Sequence, residues 1–284
     1  MRYHSQSIRS VILDSVFPPQ VNSLEEETIN GARVFQVLFD GCAADAVCAD
    51  HYPALEETLY KVIDKLNKNP AERKDETFYG DDVVNIVFNA LYDNSLIGYI
   101  PFVIYEARRG NYKPLQLLED GSIVDEYRRQ REKEDITDSE GAFYSVECYE
   151  EVSFNNPDRA ETNISGVAPQ LSGALLADVE SMFEFCAFWV VEEAPAVENT
   201  PVQSDIPTLI LAGQYDPITP PQWGKQASEY LPNSFNFEFT GIGHDTIDSH
   251  QCPVDITMAF LDNPTQEPDS SCIAGINEPS LYIP

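Results

Sequence analysis

Leu209-Ile-Leu-Ala-Gly-Gln-Tyr-Asp216-Pro-Ile-Thr-Pro220 and Phe237-Glu-Phe-Thr-Gly-Ile-Gly-His244-Asp245 are the stretches that decide the fold of this 284-residue chain. Each is an apolar run that ends in a glycine turn and then in an acid or a histidine. Thr208–Leu211 and Phe235–Phe239 carry the β-branched, leucine and aromatic side chains of strands. Between them, Trp223, Ala227, Tyr230 and Leu231 recur at helical spacing, and Pro220 and Pro221 open that segment as prolines open helices. The unit reads as strand, acid turn, helix, strand, histidine turn. A helical crossover joins parallel strands. In such sheets function lies beyond the carboxyl ends of the strands, where Asp216 and His244 fall.

Singly, an aspartate before a helix and a histidine in a glycine turn have ordinary structural uses. Together they suit one chemistry. The carboxylate accepts a hydrogen bond from one imidazole nitrogen and fixes the tautomer, while the other nitrogen takes a proton from a nucleophile. The order nucleophile, acid, histidine is that of the α/β-hydrolases. Further pieces accompany the pair: Trp223, Leu231-Pro-Asn-Ser234, Ser249-His-Gln-Cys252, Phe260-Leu-Asp-Asn-Pro264 and Asp269-Ser-Ser-Cys272. With them, Pro207–Cys272 resembles the C-terminal region of the tripeptidyl-aminopeptidase-like branch of the α/β-hydrolases, related to prolyl aminopeptidases. The resemblance implies an α/β fold, the C-terminal part of a hydrolase with a large helical cap inserted in it. It also implies that Asp216 and His244 are the acid and base of a Ser-His-Asp triad.

The six cysteines are an even number, which fits disulfides and an exported protein, but spacing leaves every pairing open. The resemblance suggests Cys42–Cys48, Cys148–Cys186 and Cys252–Cys272. A zinc site from Cys252, His244 and His250 is the rival, unsupported by any Cys-x-x-Cys or His-Glu-x-x-His pattern. No metal or cofactor is expected. Acids outnumber bases 48 to 17 for a net charge of −31, which makes nucleic acid and anionic membranes poor partners. That charge reads as a solubilising surface, with a preference for cationic substrates as the weaker reading. No apolar run is long enough to span a bilayer. Met1–Ser7 lacks the apolar core of a signal peptide, at odds with the cysteines.

From the start, Ser10–Val16 is a short apolar strand stopped by Pro18 and Pro19. In the family a similar stretch follows the helix that begins at the nucleophilic serine. No Gly-x-Ser-x-Gly occurs, and Ser165 and Ser172 lack the first glycine and a preceding strand. The expectation is therefore the later half of a hydrolase. The nucleophile, the early strands, the oxyanion loop and any signal peptide of a secreted or periplasmic full-length protein would then lie upstream of Met1, through an incomplete gene model, a split gene with a complementary N-terminal polypeptide, or a decayed gene.

The expected division is residues 1–20 as a core strand, 21–198 as a mostly helical cap, and 199–284 as the C-terminal core. Within the cap, Tyr52, Leu55, Leu59, Val62, Ile63 and Leu66 mark an amphipathic helix that ends near Asn69-Pro70. Thr28–Phe39 is a second helix, ending at Gly41. Asp81–Tyr92, Tyr99–Arg109 and Gly121–Lys133 are further helices. Leu171–Glu193 is another, with a stripe from Leu175 to Trp189 that reads first as core and second as substrate pocket. Thr162–Pro169 and Ala194–Pro207 read as loops.

An acid after the cysteine of Cys148-Tyr-Glu150 often occurs in the family, and aminopeptidases need a carboxylate for the substrate's ammonium. Glu150 is the candidate substrate-binding residue, against its being one acid among many. Asn163-Ile-Ser165 fits a glycosylation sequon and reads as chance. The leading functional reading is a serine peptidase that acts on free peptide N-termini. An esterase acting on small ester or amide substrates uses the same pair. An inactive fragment or pseudoenzyme is the non-enzymatic alternative, supported by the absent serine.

Overall fold

The computed structural model describes residues 1–73, 76–124 and 139–284. The chain divides into two compact units: Met1–Val21 with Pro195–Pro279, and Asn22–Ala194 with Ser280–Pro284.

The first unit is built on β1 (Val11–Asp14), which is joined later in the chain by two further strands. In the second unit lie α1 (Ser23–Ala44), α2 (Ala46–His51), α3 (Leu55–Lys68), the hairpin β2 (Ala71–Arg73) and β3 (Glu76–Phe78), and α4 (Gly80–Tyr92). They are followed by α5 (Ile100–Arg109), α6 (Lys113–Glu119), α7 (Glu140–Glu150), α8 (Pro157–Ile164) and α9 (Pro169–Phe188). Back in the first unit come β4 (Thr208–Gly213), α10 (Pro221–Ser228), β5 (Ser234–Phe239), α11 (Thr246–Ser249) and α12 (Gln251–Asp262).

The sheet of the first unit has the order β1-β4-β5, and both pairings are parallel, as the helical crossover requires. All six residues of the central strand β4 are buried, the near-continuous apolar run of a strand covered on both faces. The two-residue period sends alternate side chains to opposite faces. Leu209 and Leu211 join Phe237, Phe239 and Ile242 against Cys252, Ile256 and Phe260 of α12. Ile210 faces the other way, with Ala227 of α10 and Leu231. β1 is shorter than expected because Ser15 leaves the strand with φ 54°.

In the second unit, Leu55, Leu59, Val62, Ile63 and Leu66 all lie buried along one face of α3, as their spacing requires. Tyr52 lies outside that helix: Ala54 adopts a left-handed conformation and starts it at Leu55. α1 does not stop at Gly41 but runs to Ala44. Asp45 ends it and accepts the Cys48 N–H at 2.7 Å, capping α2 in turn. Thr162–Pro169 is not wholly loop, because α8 continues to Ile164 after Pro157 opens it and the Asn156 side chain caps it. The Gly121–Lys133 helix falls mostly outside the described residues.

The stripe on α9 needs the larger correction. Leu171, Ala174, Leu175 and Val179 are buried, but the aromatic end is not core, and Phe188 is 66% exposed. The C-terminal turns of α9 lie against α7, tied to it by the Cys148–Cys186 bridge and by ring stacking. Phe185 stacks on Tyr144 of α7 at 3.7 Å and on Trp189 at 5.3 Å between centroids.

Candidate functional site

β4 ends at Gly213, and the chain turns through Gln214 and Tyr215 to Asp216, whose side chain is fully buried. A buried carboxylate needs its lone pairs satisfied. Oδ1 accepts the Ile218 N–H at 3.0 Å and the Thr219 N–H at 2.8 Å, so Asp216 organises its own turn. Oδ2 accepts the Thr219 hydroxyl at 2.7 Å and lies 2.9 Å from His244 Nδ1. That distance lies within the hydrogen-bond reach that acid–base work needs. Thr219 Oγ1 also lies 3.3 Å from Nδ1, so the imidazole N–H points into a two-oxygen pocket.

The histidine turn is fastened to the aspartate turn by backbone. Gln214 N–H donates to Phe239 O, Tyr215 N–H to Ile242 O at 2.8 Å, and Gly241 N–H to the Gln214 side chain. A Cβ on Gly213 would strike the carbonyl oxygens of Gly243 and Ile242, so only glycine lets the two strand ends close this tightly. The end of β1 holds the far side. Asp14 accepts the N–H groups of Thr246 at 3.1 Å and Ile247 at 2.9 Å as well as the Thr246 hydroxyl, and Ser15 Oγ accepts the Asp245 N–H at 3.2 Å. All three strand ends thus converge on His244.

The electrostatics follow. Burial by itself pushes the His244 pKa down. The Asp216 hydrogen bond and charge, aided by Asp245 and Asp14, outweigh burial and hold it above the ordinary histidine value. Burial raises Asp14, and the two N–H groups it accepts offset only part of that. His244 retains 20% side-chain exposure, and its Nε2 lies 3.7 Å from Asp245 Oδ1. The ring is held by Nδ1 and presents Nε2 away from Asp216, the arrangement a general base uses.

Of the residues singled out in the sequence, the structure brings Asp216 and His244 together. It places Glu150 on the surface of the helical unit, on the last turn of α7. Three disulfides join Cys42 to Cys48, Cys148 to Cys186 and Cys252 to Cys272, with Cα separations of 5.1, 5.2 and 5.8 Å. The Cys252 sulfur is therefore committed, and the zinc alternative with His244 and His250 loses its thiolate. Among the described residues no group of three or more His, Cys, Asp or Glu is placed to hold a metal ion. No helix among them is long and apolar enough to cross a membrane. Thr219, Asp14 and Ser15 were missed. The signal for Asp14 was present, since Val-Ile-Leu-Asp14 ends an apolar strand in an acid as the stretch before Asp216 does.

Residues 175–272 match the family model for TAP-like proteins, spanning β4, Asp216, β5, His244 and the Cys252–Cys272 bridge. The match likens this region to the TAP-like branch of the α/β-hydrolases. Curated relatives of the chain include the serine protease Hip1 of Mycobacterium bovis and of Mycobacterium tuberculosis. Each is 25% identical over 289 residues, covering 94% of this chain and 53% of the relative. The chain spans about half the length of the curated relatives it matches.

Proposed function

We propose that the chain supplies the acid and the base of a serine peptidase that acts on free peptide N-termini. The observation that carries the reading is the 2.9 Å contact between His244 Nδ1 and a fully buried Asp216 at adjacent parallel strand ends. In this reading His244 takes the proton of a serine hydroxyl as it attacks the scissile carbonyl. His244 then returns that proton to the leaving amine, and Asp216 holds the tautomer and stabilises the imidazolium. Thr219 and Asp14 are positioning residues. The serine is contributed by a polypeptide outside these 284 residues, because the sequence contains no Gly-x-Ser-x-Gly elbow. The 284 residues alone are then inactive. The match to serine proteases supports the reaction class.

In the same proposal the helical unit is the cap that limits access, and Glu150 is the carboxylate for the substrate's ammonium group. The three disulfides and the exported-protein reading belong together: the full-length enzyme works in a secreted or periplasmic setting. An esterase shares the acid–base pair and differs only in what it accepts.

The test joins the chain to the reading frame that precedes its first codon and assays tripeptidyl substrates with free and N-acetylated termini. The expected result is release from the free amine alone, lost about a thousandfold or more in His244→Ala. Equal turnover of the acetylated substrate or of simple esters would favour the esterase. Activity that survives His244→Ala would overturn the assignment.

A further inference from the structure

The last five residues, Ser280–Pro284, belong to the helical unit, although the 85 residues before them, Pro195–Pro279, belong to the sheet unit. They form no secondary structure, yet Tyr282 is held both by its ring and by its backbone. The Tyr282 ring stacks on Tyr99 at 5.2 Å and 26° and meets Phe102 edge-on at 4.9 Å. Its backbone is read on both sides: Tyr282 N–H donates to Gly98 O at 2.9 Å, and the Tyr52 hydroxyl donates to Tyr282 O at 2.7 Å. Gly98 lies directly under the strand of tail. A Cβ there would run into the Ser280 carbonyl oxygen and meet its carbon at 3.2 Å.

These are the parts of a peptide-recognition site. Main-chain hydrogen bonds set the register of an extended segment, and a side-chain pocket selects what it carries. Here the pocket is aromatic on two sides and takes an aromatic ring in stacked and edge-on geometry. Its walls come from the turn before α5, from Phe102 in the first turn of α5, and from the segment between α2 and α3. Ser280–Pro284 carries no charged side chain, so recognition rests on the ring and on the two backbone contacts.

We propose that the helical unit has a docking groove, formed by Tyr52, Gly98, Tyr99 and Phe102, for an extended peptide bearing an aromatic residue. The chain's own C-terminal segment, centred on Tyr282, is its resident and displaceable occupant. The tail is then a strap that closes the groove in cis and blocks the groove to other extended peptides while it is seated. Gly98 is required because the occupant's backbone lies against it.

The test uses the full chain and hydrogen exchange over residues 96–105. Tyr282→Ala should leave the fold intact and speed exchange there about tenfold or more, because the groove is emptied while the helices stay packed. Adding the free peptide Ser-Leu-Tyr-Ile-Pro to that variant should restore the protection, and Ser-Leu-Ala-Ile-Pro should not. The parent chain should ignore both peptides. Gly98→Ala in the Tyr282→Ala background should abolish the rescue. Tyr282→Phe, which keeps the ring, should match the parent. Unchanged exchange in Tyr282→Ala, or no rescue by the tyrosine peptide, would overturn the proposal. So would a Tyr282→Ala chain that fails to fold, since the tail would then be an integral part of the core rather than an occupant.

Discussion

Gly213→Ala inserts one methyl where β4 meets the histidine turn, and its cost can be worked from the positions of the atoms around it. The new Cβ would sit 2.5 Å from Ile242 O and closer still to Gly243 O, whereas real Cβ contacts stay above 3.0 Å. Both obstacles are backbone, so no rotamer change relieves them. The turn must move by about half an ångström at Ile242 and by more at Gly243. His244 is the next residue, and its hydrogen bond to Asp216 tolerates little displacement. Overpacking of this kind costs about 1–3 kcal/mol, enough to lower the melting temperature by about 5 °C. Thermal unfolding, together with the proton resonance of the His244–Asp216 hydrogen bond, reads both effects. Gly173→Ala is the control. Gly173 is inside α9 with nothing within 4 Å of the added atom, and the change should stabilise by about 0.5–1 kcal/mol. If Gly213→Ala melted with the parent and kept the histidine resonance, the tight closure of the two strand ends would not be what positions His244.

The helical unit should be more stable at pH 5 than at pH 8. Burial first, then Asp178 and Glu147, raise Glu27 to about 7; burial, then Glu147 and Glu150, raise Glu151 to about 7 despite the Ser23 hydrogen bond. Both start from the ordinary glutamate value of 4.5, so the folded state binds more protons, and the stability present below about pH 4.5 is lost as pH rises through 7. Glu27→Gln should flatten that slope, and a pH-independent urea midpoint in the parent would count against the burial. Replacing Cys252 and Cys272 by alanine opens a loop of sequence separation 20 and should cost about 3 kcal/mol, read as a lower urea midpoint. The loss should fall on the sheet unit, because Cys252 packs in the cluster of Leu209 and Phe237.

The sheet unit was legible because its signals are local. The apolar run Leu209-Ile-Leu211, the alternation in Phe237-Glu-Phe239, proline at the helix start, and a crossover too long for a hairpin leave one arrangement of β4, α10 and β5. Asp216 and His244 follow from that arrangement. Asp14 and Thr219 were harder, because each acts through a partner distant in sequence or through a turn whose hydrogen bonds only the folded backbone reveals. Helix ends failed where a later feature overrode the local one. Gly41 has the residue type of a helix stop, but Asp45 supplies the stop four residues on, next to the Cys42–Cys48 bridge. The aromatic stripe on α9 has the spacing of a core face, yet spacing does not report how completely its neighbours cover it. Tyr282 gave no signal at all, since a short apolar tail has no periodicity to read.

An NMR titration of the His244 imidazole tests most directly whether Asp216 and His244 work as a coupled acid–base pair. The chain has four histidines, and a His244→Gln spectrum identifies the signal by subtraction. In the parent the His244 pKa should lie above the ordinary histidine value, with Nδ1 carrying the proton toward Asp216. In Asp216→Asn the burial that lowers it remains while its main opponent is gone, so the pKa should fall below that value. An imidazole that titrates identically in the two proteins would contradict that coupling.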